Sequence, residues 1–86
     1  MPELRSGLLW RMDARTPAAA AVEWLDAKAR FTERTGAAPV RAWVGELAYS
    51  LLDAAEAAGL MRDGTVMVRL DDNLPAWEFL LSGEGE

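Results

Sequence analysis

The chain has 86 residues, no cysteine, no histidine and a formal net charge of −5 at pH 7. These totals allow one domain, exclude disulfides and remove the usual ligands of a structural zinc site. A domain this small buries only about 60% of the surface its unfolded chain exposes, which leaves self-association as the available source of extra stability.

The charge is uneven along the chain. Residues 1–43 hold seven bases and five acids, whereas residues 44–86 hold two bases and nine acids. Halves of opposite sign attract each other between copies, and the acidic half disfavours nucleic acid. No apolar run reaches the roughly 18 residues of a transmembrane helix, and Asp13 and Arg15 interrupt the start before a signal-peptide pattern forms. The absence of cysteine fits a reducing compartment. The expectation is a soluble, cytoplasmic protein that makes no membrane contact.

Taken in chain order, residues 1–6 read as a ragged start. Leu8 to Met12 alternate as a first strand, with Leu8, Trp10 and Met12 on one face and Leu9 and Arg11 on the other. Thr16 is an N-cap residue and Pro17 a first helical residue, so a helix is predicted from Pro17 to Thr35. Its apolar stripe reads as Ala18, Ala21, Val22, Leu25 and Ala29, flanked by Trp24 and Phe31. Glu23, Asp26, Arg30, Glu33 and Arg34 fall on the opposite, solvated side. Gly36 then stops the helix, and Pro39 follows.

Val40 to Val44 form a second strand, in which Val40, Ala42 and Val44 alternate with Arg41 and Trp43. A second helix is predicted from Glu46 to Ala58, with Leu47, Leu51, Ala54, Ala55 and Ala58 inward, Leu52 and Ala48 beside them, and Gly59 ending it. Asp63-Gly64 turns the chain into a third strand, Thr65 to Leu70. Asp71 to Asn73 make a further turn, and Pro75 opens a fourth strand over Ala76 to Leu81. Ser82 to Glu86 read as a flexible acidic tail, leaving residues 1–81 as the single domain. The fold class is therefore α/β, a two-layer sandwich in the order β-α-β-α-β-β. It has a four-stranded mixed sheet with two helices on one face; the last two strands can pair as a short hairpin, with one of them at the sheet edge.

Such a sheet keeps one face bare. That face is expected to carry Leu9, Arg11, Arg41, Trp43, Met67 and Arg69, with either Trp77, Phe79 and Leu81 or Ala76, Glu78 and Leu80 from the fourth strand. Trp, Arg and Met are enriched at protein interfaces, and monomers rarely leave so broad an apolar patch in water. Arg11, Arg41, Trp43, Met67 and Arg69 are accordingly the candidate partner-binding residues. The leading occupant is a second copy of the chain, giving a homodimer or larger homo-oligomer. A different protein comes next, and a single-stranded nucleic acid stacked on Trp43 comes third.

The catalytic inventory is thin. Without His or Cys the commonest base and the best nucleophile are missing, and Ser6, Ser50 and Ser82 lack a nucleophile context. No glycine-rich phosphate loop is present, and no cofactor is implied. Asp13, Asp71 and Asp72 follow strand ends and would gather a Mg²⁺ only if the first and third strands were neighbours; ordinary turn chemistry explains them as well. Glu46, Tyr49, Asp53 and Glu56 share one side of the second helix and read as its solvated face.

Three short stretches, G-L-L-W, F-T-E-R-T-G-A-A-P and N-L-P-A-W-E-F, together resemble small bacterial and mobile-element α/β proteins. The resemblance implies an α/β fold and a bacterial or phage origin, and it carries over no functional residues. The reading favours a non-enzymatic interaction or assembly subunit. Its alternative is an accessory protein that binds single-stranded nucleic acid or a nucleic-acid-processing partner.

Overall fold

The computed structural model describes residues 7–62 and 64–83. The elements run β1 (Leu8–Arg11), α1 (Pro17–Thr35), β2 (Arg41–Val44), α2 (Glu46–Ala57), β3 (Met67–Leu70) and β4 (Glu78–Ser82). The chain is an α/β fold with a four-stranded mixed sheet in the order β1-β4-β2-β3.

Local chemistry sets the ends of α1. The Thr16 hydroxyl accepts a hydrogen bond from the Ala19 N–H at 3.2 Å, and Pro17 occupies the first turn, where no N–H is needed. At the other end Gly36 takes φ 84°, a left-handed conformation that a residue with a Cβ resists, and its N–H donates to the Thr32 carbonyl at 2.8 Å. Helix α2 has no side-chain cap. Instead the Ala76 carbonyl, from the loop before β4, accepts from the N–H groups of Leu47 and Ala48 at 3.0 and 2.9 Å.

Both helices are rotated from the predicted phase. The residues of α1 that bury are Ala20, Ala21, Trp24, Ala27 and Phe31, while Val22 and Leu25 are 67% and 57% exposed. In α2 the buried set is Ala48, Leu52 and Ala55, and Leu47 is exposed. The reason is size. Alanines surround α1 on several sides and fit against a sheet in more than one orientation, so the two bulkiest side chains choose the inward face. Trp24 packs on Phe79 of β4 with ring centroids 5.3 Å apart, and both rings are fully buried.

The expected hairpin of β3 with β4 does not form. β4 inserts between β1 and β2 and runs antiparallel to both, while β3 pairs parallel with β2 at the sheet edge. Phe79 and Leu81 bury completely in that central position, whereas all four residues of β3 are exposed. The strand that buries most completely thus sits inside the sheet, and the fully exposed β3 takes the rim. Ser82, expected in the tail, is the last residue of β4; it is buried, and its carbonyl accepts from the Val40 N–H at 2.9 Å. Residues 1–6, Asp63 of the predicted turn and residues 84–86 of the predicted tail lie outside the described residues.

Candidate functional site: an uncovered sheet face

Strand register sorts the side chains into two faces, because residues directly opposite in neighbouring strands share a face. Trp10 lies opposite Phe79, Phe79 opposite Val44, and Val44 opposite Leu70. This row, with Leu8, Leu81, Ala42 and Val68, looks toward the helices and supplies the sheet side of the core, except at β3, where Val68 and Leu70 stay exposed.

The other face carries Leu9, Leu80, Trp43 and Arg69 as one continuous row across all four strands. On one side of it Arg11 lies opposite Glu78. On the other, Ser82, Arg41 and Met67 stand in register. Of the two predicted options for the fourth strand, the structure selects Glu78 and Leu80. Leu9 is 56% and Met67 54% exposed, and Trp43, Leu80, Glu78 and Arg41 are half-buried. The Arg69 guanidinium reaches back to the Met67 sulfur at 3.6 Å, so the two side chains lie together over the rim. Arg11, Arg41, Trp43, Met67 and Arg69 therefore all fall on one face.

The three candidate aspartates are not brought together. Asp13 follows β1 and Asp71 follows β3, and these strands form opposite edges of the sheet, about 14 Å apart at about 4.8 Å per strand. Asp71 instead closes a turn, accepting from the Asn73 N–H at 2.9 Å. Among the described residues no group of three acidic side chains is placed to hold a metal. Likewise, no described helix is long and apolar enough to cross a membrane.

Two features escaped the sequence reading. One is a clamp at the end of β1. Glu23, assigned to the solvated side of α1, accepts from the Trp10 indole N–H at 2.9 Å and from the Asp13 N–H at 3.1 and 3.2 Å. Beside it, the Arg15 guanidinium lies 3.8 Å from the centre of the Trp77 ring and donates to the Met12 and Ala14 carbonyls. The other is a small cavity of about 80 Å³ on the helix side of β3. Trp24, Leu52, Met61 and Val68 line it with Tyr49, Asp53 and Glu56, three members of the side of α2 read as merely solvated. Only the alternation of β3 and the acidic stripe of α2 hinted at it, because the cavity depends on how α2 lies over the edge strand.

No family model, no curated protein and no solved structure matches this chain.

Proposed function

We propose that this protein is a non-enzymatic interaction or assembly subunit that self-associates through its uncovered sheet face. The observation that carries the reading is the row Leu9–Leu80–Trp43–Arg69 lying on the side of the sheet opposite the helical layer. Exposed Leu9 and Met67 gain most by leaving water, and Trp43 in the middle of the row is the natural anchor. The face also carries both signs of charge. Glu78 lies to one side of the row and Arg41 to the other, so a two-fold axis through the row brings Glu78 of each copy toward Arg41 of its mate.

Sedimentation velocity tests this directly. The wild-type chain is expected to sediment as a dimer or larger species at tens of micromolar, and Trp43→Glu as a monomer with unchanged circular dichroism. A wild-type monomer over that whole range would sink the reading. The second occupant, a single-stranded nucleic acid, is favoured by one observation: Trp43 has Arg69 directly beside it in register. Binding of a labelled oligonucleotide in low salt, lost in Arg69→Glu and weakened by added salt, would replace self-association with that reading.

A further inference from the structure

The free edge of β3 and the cavity beside it meet at one residue, Val68. The Met67 N–H donates to the Val40 carbonyl at 2.9 Å and the Asp71 N–H to the Val44 carbonyl at 2.8 Å, so odd-numbered residues of this segment turn their amides toward β2. By strand alternation the amides of Val68 and Leu70 point away from the sheet, at an edge that no described strand covers. The side chains are open as well. Met67, Val68 and Leu70 are all exposed, because the helices leave this strand partly bare even on the side they cover. An edge of that kind is a template for one more strand.

The cavity gives the added strand a side-chain preference. Val68 lines it together with Leu52 and Met61, which are apolar, and with the exposed residues Tyr49, Asp53 and Glu56. A residue placed opposite Val68 projects on the same face as Val68, with its Cβ about 5 Å away, and a long side chain from there reaches the cavity. The apolar lining suits an aliphatic stem. The two carboxylates suit a positive end on that stem, and they exclude a negative one.

We propose that the β3 edge binds an extended peptide segment of a partner protein by strand addition, with a lysine or arginine of that segment lodged between Val68 and the carboxylates of Asp53 and Glu56. Backbone hydrogen bonds to Val68 and Leu70 hold the segment, and the acidic cavity selects its basic residue. This contact runs along the edge of β3, whereas self-association stacks the Trp43 face.

The test uses the full chain, isotope-labelled, and a capped seven-residue peptide of alternating threonine and valine with lysine in the middle. Counterparts carry glutamate or norleucine at that position. Titration followed by amide chemical shifts is expected to move Val68 and Leu70 and to leave Leu9 and Trp43 in place. Affinity is expected to fall about tenfold for norleucine and further for glutamate. The double variant Asp53→Lys, Glu56→Lys alters only exposed side chains of α2 and is expected to prefer the glutamate peptide. Equal binding of the three peptides, or shifts confined to the Trp43 face, overturns the proposal. So does the absence of any shift at about 1 mM peptide. Concentration-dependent shifts of Val68 and Leu70 without peptide would also overturn it, since the edge would then be filled by a second copy.

Discussion

Gly45 and Gly36 bracket β2 and are needed for opposite reasons. Gly45 has φ −66° and ψ 162°, a backbone that any residue adopts, so what it needs is space. A Cβ there would meet the Ala76 carbonyl carbon and oxygen at 2.9 Å and crowd the Pro75 carbonyl oxygen. Those backbone atoms have little freedom to move, because the Ala76 carbonyl caps α2 and the Gly45 N–H donates to the Glu78 carbonyl at 2.8 Å. At Gly36 nothing lies within 4 Å of an added Cβ, and the cost is the left-handed φ of 84° alone. Urea unfolding is expected to show a loss of about 3 kcal/mol for Gly45→Ala, from overpacking against backbone, and about 1 kcal/mol for Gly36→Ala. The reverse order would mean that the Pro75–Ala76 backbone does not press on Gly45. Glu23 is decisive in another way, since its carboxylate serves two donors at the β1–α1 junction. Glu23→Ala is expected to cost about 1–2 kcal/mol by stranding the Trp10 indole N–H. Glu23→Gln retains an accepting oxygen and is expected to keep most of that stability, as unfolding followed by tryptophan emission would show.

At the scale of elements, the limits of α1 were legible because they are local: Thr16, Pro17 and Gly36 set them through their own backbone needs. Its rotation was not legible. Ala18 to Ala21 give no preference between faces, and the choice of Trp24 and Phe31 over Val22 and Leu25 is made by the sheet they meet. The alternation of β1, β2 and β3 was legible for the same local reason as the helix ends, and with it most of the uncovered face. The seat of β4 was not, because its composition does not set it apart from the other strands and adjacency in a sheet depends on long-range pairing rather than on local pattern. The observed phase has a direct consequence. Trp24→Ala empties the centre of the core and is expected to cost about 3–5 kcal/mol, whereas Leu25→Ala, at a largely exposed position, is expected to cost under about 0.5 kcal/mol. Comparable losses at the two positions would restore the predicted stripe.

At the scale of the molecule, the radius of gyration is 12.1 Å, close to the roughly 12 Å expected for a packed chain of this length. The exposure of Leu9 and Met67 is therefore no symptom of loose packing. Four strands of four or five residues give a face of about 19 by 13 Å, so two stacked copies cover about 500 Å² in total, below the roughly 1,000 Å² of a stable specific interface. An association of that size is weak enough to be tuned by concentration, which makes heat a useful probe. A partner that binds only the folded chain raises its melting midpoint, and under the proposed self-association that partner is a second copy. The midpoint is expected to rise by about 3 °C or more for each tenfold increase in protein concentration. Trp43→Glu should abolish that slope while leaving a cooperative transition, because Trp43 lies outside the core formed around Trp24, Phe31 and Phe79. Scanning calorimetry at two concentrations separates the outcomes. A midpoint independent of concentration for both chains would mean that no second copy covers the face.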